Sequence, residues 1–237
     1  MRTNHENELL DALPADELQR LAGQLQRVLL HQDELLCGEG RPVVHVYFPT
    51  SALISVLCST STGDSMDVAV IGGDGGVGLT FSASAHWTPG RAVVQRSGEA
   101  WRLPLSVLLQ EFAHAGTLLL LTLRYQQLLM AQMAQTALCS RLHRVDQQLC
   151  RWILTNVDRC GSERLDVTQE QVARMLGVRR EAVSAAAVRM EAERALHWGR
   201  GHLRVLDRTA LEAHCCECHE TLRGEAQALF PLMRRAA

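Results

Sequence analysis

The sequence predicts an α+β chain: a β-rich first half, one long helix, then a helical second half interrupted by a hairpin. Three observations predict it. Of 237 residues, 47% are apolar but only 4% aromatic, so the core must rest on Leu, Val, Ala and Met, a balance that favours helix. Between Gly40 and Pro104 the texture changes to Val, Ile, Tyr, Phe, Ser and Thr punctuated by glycine-rich turns. From Gly116 to Cys139 there is no proline and no internal glycine.

Taken in order, residues 7–30 place Leu9, Leu10, Leu13, Leu18, Leu21 and Leu25 at spacings that suit short amphipathic helices interrupted near Pro14. "RPVVHVYFPTSALISVLCS" and "TGDSMDVAVIGGDGGVGL" read as short strands joined by turns, and residues 90–104 as two more strands about a Ser-Gly turn. Residues 31–104 thus form a compact antiparallel β unit. Helix returns over 105–139, and its segment 116–139 would be a rod of about 36 Å. One stripe of that rod runs Leu118, Leu121, Tyr125, Leu128 and into Gln132 and Gln135; a second runs Leu119, Leu123, Met130, Met133, Ala137. Two apolar stripes call for two partners, the β unit and the same helix of a second copy, which predicts a homodimer. A further helix buries Val145, Leu149, Trp152, Ile153 and Val157 and closes at Gly161. Two short helices follow, then a hairpin around Gly-Arg-Gly over 195–208 and a last helix over roughly Thr209–Leu222. The expected division is 1–140 and 141–237.

Charge separates the same halves. Residues 1–140 carry 8 Arg against 13 acidic residues; residues 141–237 carry 16 Arg against 13, with 7 of those Arg between Arg179 and Arg208. The second half suits a polyanion. The chain has no lysine, which reads as genomic base composition rather than function. No signal peptide or membrane span is expected, because the longest apolar block is broken by Arg124 and several glutamines. A cytoplasmic protein with reduced thiols is the expectation.

The second half holds the most specific pattern. Thr168 and Gln171 make a Thr-x-x-Gln capping box, so a helix should begin at Gln169 and bury Val172, Ala173 and Leu176. Gly177 permits a tight turn, Val178 enters the core, and a second helix starts near Arg179 or Arg180 and buries Val183, Ala186 or Ala187, and Met190. Small Ala173, Gly177 and Val183 fall at the fifth, ninth and fifteenth positions from Gln169, where two helices need to cross closely. With the hairpin behind it, this is a winged helix-turn-helix. In that geometry the first turn of the second helix faces base edges, which puts Arg179, Arg180, Glu181 and Ser184 outward. Arg180 and Glu181 are base-reading candidates, since arginine pairs with guanine and glutamate accepts from cytosine. Thr168, Gln169, Arg189, Arg200 and His202 suit phosphate contacts.

The stretch from Leu165 to Glu212 resembles the winged-helix domain of the Crp/Fnr transcription regulators, and "VVHVYFPTSALISVLCS" with "VAVIGGDGGVGL" resembles the same family's cyclic-nucleotide-binding-like domain. The resemblance covers nearly the whole chain. It implies an N-terminal antiparallel β-roll (cupin-like jelly roll) as effector-sensing domain, a dimerisation helix at about 116–139, a C-terminal DNA-binding domain, a near-palindromic double-stranded DNA site, and RNA polymerase as a partner. Effector-binding positions would be Gly75, Gly76, Gly78 and Arg91. Members that bind cyclic AMP carry a Gly-Glu here and an Arg followed by Ser or Thr; this chain has no glutamate between Gly75 and Gly78, and Ala92 follows Arg91. The ribose acceptor and one phosphate donor are missing, which speaks against cyclic AMP. Cys37 stands alone where iron–sulfur members cluster their cysteines, and His45, His86 and His114 are the histidines comparable to those that ligate haem in other members. Relatives commonly carry an arginine where Ala185 stands. No cofactor is assigned.

Eight cysteines are scattered except for "AHCCECHE". On a helix, Cys215, Cys218 and His219 would share a face at i, i+3 and i+4 and offer three metal ligands, one short of a closed zinc site. No Walker lysine, Gly-x-Ser-x-Gly or His-Glu-x-x-His is present, so an enzyme is not expected. A non-catalytic dimeric scaffold, or a redox or metal sensor through Cys215–His219, are the competing readings, and salt-sensitive DNA binding separates a regulator from a scaffold or an enzyme.

Overall fold

A computed structural model describes residues 6–38, 42–79 and 90–234, with side chains to 227. The chain divides into two compact units, one drawn from Met1–Val56, Val70–Ala131 and Gly224–Ala237, the other from Leu57–Ala69 and Gln132–Arg223.

In the first unit, buried Asn7 organises the entry of the chain. Its Oδ1 accepts the N–H groups of Leu9 and Leu10 at the start of α1 (Glu8–Asp11), while its Nδ2 donates to the carbonyls of Pro49 and Gly75 at 2.8 and 2.9 Å. The second helix, α2 (Ala15–Ala22), follows Pro14 and stops at Gly23. Helix does not continue to residue 30 as the leucine spacing suggested. Gln26–Leu30 is instead a strand, β1, paired antiparallel along its whole length with β7 (Gly98–Pro104), so the β unit begins at Gln26 rather than residue 31. The ladder partner lies some seventy residues away, beyond the reach of any local periodicity.

The remaining strands of the β unit are β2 (Leu35–Cys37), β3 (His45–Pro49), β4 (Leu53–Ser59), β5 (Ser65–Ile71) and β6 (Arg91–Arg96). Two sheets result, ordered β1-β7-β3 and β2-β6-β4-β5. Strands β6 and β7 therefore do not pair about the Ser-Gly step; the chain changes sheet there. Gly98 makes the change possible, since a Cβ on it would lie 2.4 Å from the backbone nitrogen of Ala52. Leu9, Leu10, Leu21, Phe48, Leu103, Leu108, Leu118, Leu121 and Tyr125 form the core of this unit.

Helix α3 (Leu105–Ala113) bends by 111° into α4 (Thr117–Leu142), a 26-residue rod of about 39 Å. Its amino terminus is capped from a distance: the carboxylate of Glu17 accepts the N–H groups of Thr117 and Leu118 at 2.7 and 2.9 Å. These are donors a helix cannot satisfy itself, and a carboxylate also suits the positive end of the helix dipole. Gly116 leaves the room, for a Cβ there would sit 2.8 Å from Glu17 Oε1. Leu118, Leu121, Tyr125 and Leu128 are buried; Leu123 and Met130 on the second stripe are 53% and 62% exposed. Among the described residues no single helix is long and apolar enough to cross a membrane.

In the second unit, the end of α4 is followed by α5 (Val145–Cys160), which closes on Gly161 at φ 60°. Then come β8 (Arg164–Leu165), α6 (Gln169–Leu176), α7 (Arg180–Ala192), the hairpin β9 (Leu196–Gly199) and β10 (His202–Val205), α8 (Arg208–His214) and α9 (Cys218–Arg234). Strand β8, which no sequence pattern announced, adds a third strand on the far side of β10. Leu149, Ile153, Val172, Val183, Ala186, Met190, Leu203 and Leu211 share one core. The last helix is not continuous over 209–222: Cys215 is extended (φ −72°, ψ 151°), so the chain turns a corner between α8 and α9.

Candidate nucleic-acid interface

The α6–turn–α7 element is built as its local chemistry predicts. Gln171 Oε1 accepts the Thr168 N–H at 2.8 Å while Thr168 Oγ1 accepts the Gln171 N–H at 3.2 Å, closing the capping box. Gly177 takes φ 65°, which an L side chain resists, and returns N–H groups to the end of α6. Ala173, Val183, Ala186 and Ala187 are all buried, so both alanines that alternated as candidates belong to the core.

What remains outward is the first turn of α7. Arg179 occupies its N-cap position and, with Arg180 and Glu181, is exposed; Arg180 Nε lies 4.0 Å from Glu170, a loose surface pair. Two guanidinium groups sit at the positive end of a helix, where anions are favoured. Ser184, expected beside them, is half-buried and donates to Gln169 Oε1 at 2.6 Å, which pins α7 to the start of α6. The hydroxyl of Thr168 is likewise held by Gln171. Gln169 keeps its amide nitrogen for an outside acceptor. Further along α7, Arg189 is exposed but lies 3.6 Å from Asp146, whose carboxyl the Arg144 hydrogen bond holds below the usual range against the opposing effect of burial. In the wing, Arg200 is exposed at the β9–β10 turn, whereas His202 is half-buried with its ring laid against Gly199. Val188 escaped the sequence reading. It is 64% exposed and lies three residues beyond Ala185, so the outward face of α7 carries an apolar strip. An apolar residue off the buried helical stripe was the signal.

The glycine-rich turn is accounted for by packing. A Cβ on Gly75 would lie 2.3 Å from the Tyr125 hydroxyl, one on Gly76 2.7 Å from Leu79, and Gly78 has φ 88°. Arg91 begins β6 with its backbone against Gly38. His45 is on β3, His114 is exposed beside Glu111, and His86 lies outside the described residues.

The corner before α9 separates the residues expected to share a helical face. Cys215 packs toward the core of the second unit, and His219 Nε2 lies 3.0 Å from Asp158 Oδ2. Cys218 instead joins Cys139, His143 and Cys216, whose ligand atoms all fall within 4.8 Å of one another. Cys139-x-x-x-His143 together with Cys216-x-Cys218 was the available signal, but no spacing told that the two pairs meet.

Residues 147–214 match the family described as the Crp-like helix-turn-helix domain. No curated protein matches the chain. Among solved structures, the chain shares its fold with the c-di-GMP responsive global regulator CLP of Xanthomonas campestris, at 15% identity and TM-score 0.65 over 81% of this chain and 99% of that one. FixK2 of Bradyrhizobium japonicum is similar at 15% identity and TM-score 0.63, over 81% and 98%. A CRP-family transcriptional regulator from Thermus thermophilus follows at 15% identity and TM-score 0.64, over 79% and 95%. Over residues 147–214 the chain thus matches a Crp-like helix-turn-helix domain, and its fold is that of these solved regulators.

Proposed function

We propose that the chain acts as a homodimer that binds a near-palindromic DNA site, with the two α7 helices in successive major grooves and half-sites about one helical turn apart. The observation that carries this reading is the outward first turn of α7, where Arg179, Arg180 and Glu181 stand free of the helix-turn-helix core. Arg180 and Glu181 read base edges; Gln169, Arg189 and Arg200 hold phosphates, with Thr168 and His202 shaping the surface around them. Ala185 and Val188 contact thymine methyl groups, which replaces hydrogen-bonded readout by apolar readout at those positions. Dimerisation runs through the second stripe of α4, where exposed Leu123, Met130 and Ala137 recur at the seven-residue period of a coiled coil, flanked by half-buried Leu119 and Met133.

The β-roll is the sensing domain in this reading, and RNA polymerase the partner at the promoter. Cyclic AMP is a poor candidate effector because Tyr125 and Leu79 occupy the space around Gly75 and Gly76 and no glutamate stands there to take a ribose hydroxyl. The test is selection of bound sequences from random duplex DNA, with and without cyclic mononucleotides and cyclic dinucleotides. Enrichment of a two-fold symmetric motif whose affinity falls steeply with salt supports the proposal; no enrichment over random DNA ends it. Arg200→Ala should weaken all sequences alike and lower the salt slope by about one, and an unchanged slope removes the wing from the contact surface.

A further inference from the structure

We propose that Cys139, His143, Cys216 and Cys218 form a closed tetrahedral site for a thiophilic divalent cation of the zinc class. Three thiols and one imidazole are a donor set of structural zinc sites. The spacing is also right. Cys139 Sγ and Cys216 Sγ are 3.6 Å apart, and Cys218 Sγ is 3.5 Å from His143 Nδ1. A tetrahedral ion with Zn–S of about 2.3 Å and Zn–N of about 2.0–2.1 Å puts sulfur pairs about 3.8 Å apart and sulfur–nitrogen pairs about 3.6 Å apart. A disulfide would need about 2.05 Å, and all eight cysteines are free.

The local backbone is shaped to bring these atoms together. Cys139 is in the last turn of α4, and His143 just beyond it still donates its N–H to the Cys139 carbonyl at 3.1 Å, which keeps the two side chains on one face. Cys216 and Cys218 are two apart and on a continuous helix would point about 200° from each other at 100° per residue. The extended conformation at Cys215 breaks the helix and lets both sulfurs converge. Cys139, Cys216 and Cys218 are buried against one another, which leaves no water-accessible fourth position and argues for a structural site.

An outer layer supports the four. Glu217 Oε1 lies 3.3 Å from His143 Nε2, which holds the ring with Nδ1 toward the sulfurs, and Gln135 Nε2 donates to Cys218 Sγ at 3.0 Å. A carboxylate on the far nitrogen of a ligating histidine is a recurrent feature of metal sites. Three thiolates around a divalent ion leave one negative charge. The buried guanidinium of Arg151, which bonds Thr136 on the same stretch of α4, stands near enough to act on Cys139 and balance it. On binding, the thiol protons leave to solvent, so uptake strengthens as pH rises. The ion would fasten the α8–α9 corner to the last turns of α4, within the second unit.

The site stands independently of the DNA-binding reading, and so does its test. The full chain, purified reduced, is passed over a chelator, titrated with Zn2+ or Co2+, and assayed for bound metal and for visible absorption. One equivalent per chain, with the d–d bands of tetrahedral Co2+ and sulfur-to-cobalt charge transfer, is expected. Glu217→Gln should weaken Zn2+ by about tenfold or more, His143→Gln by more than that, and Cys160→Ser, whose thiol faces the Val157 and Ser162 carbonyls, should change nothing. Because Glu217 and His143 are not fully buried, circular dichroism should show these variants folded. Absence of tetrahedral Co2+ bands overturns the site. So would equal loss in Cys160→Ser, or a reduced wild-type chain that forms a Cys139–Cys216 disulfide in air but takes up no metal.

Discussion

Along the outward face of α7 the chemistry changes with position: Arg179, Arg180 and Glu181 in the first turn, then Ala185, then Val188. Charged groups that meet base edges discriminate by paired hydrogen bonds, while methyl groups discriminate only by contact with thymine. Arg180→Ala should therefore cost about 1–3 kcal/mol on the best site and relax preference at one base pair, read by competition binding across single-base variants. A loss equal on every sequence would move Arg180 to the phosphates. Ser184 was expected in this set from its position alone; its bond to Gln169 shows that a short hydroxyl at a helix crossing turns inward when a partner is in reach. The alanines at 186 and 187 were legible as core because helical period decides which residues face α6.

At the scale of elements, two long-range ties were invisible in the sequence. One is the cap on α4 by Glu17, a residue a hundred positions away. Glu17→Ala leaves two helix N–H donors unmatched and should destabilise the first unit by about 1–2 kcal/mol in urea unfolding, with no effect if water replaces the carboxylate fully. The other is Asp158 on α5, which pairs with Arg208 of α8 at 2.6 Å and with His219 of α9 at 3.0 Å. Burial pushes its carboxyl up, but the bonds from His219 and Arg208 outweigh burial and hold it at about 2, below its ordinary 3.8. A depressed carboxylate contributes stability that is full above its unfolded value and lost as pH falls through its folded value. The thermal midpoint of the wild type should thus exceed that of Asp158→Asn at neutral pH, and the gap should close between about pH 4 and pH 2. A gap unchanged across that window would show that the ionised carboxylate does not tie the three helices.

For the whole molecule, the decisive surface is the second stripe of α4. Leu123 and Met130 are exposed although the helix is apolar on several sides, and a free chain would carry that cost in water. If the proposed homodimer forms through this stripe, Leu123→Glu with Met130→Glu should convert it to a monomer in sedimentation, keep its helical signal, and weaken binding to a two-half-site duplex far more than to a single half-site. A double variant that sediments as the wild type would place the dimer contact elsewhere.

The helix-turn-helix was readable because its determinants lie within a few residues: the Thr168–Gln171 box, the positive φ at Gly177, and apolar spacing on two short helices. Gly161 ended α5 for the same local reason. Strand β1 is not legible in the sequence because its identity rests on a ladder to β7, and Leu18, Leu21 and Leu25, three and four apart, carry a helical pattern up to its start. The sheet change at Ser97–Gly98, the strand β8 and the corner at Cys215 share this origin. By itself the sequence determined which segments are amphipathic and where they start and stop, since those are set by neighbours along the chain. Only the tertiary structure decided which groups cap α4, which sheet receives each strand, and which four ligands converge, because those depend on groups brought together from distant parts of the chain, such as Glu17 with Leu118, β1 with β7, and Cys139 with Cys216.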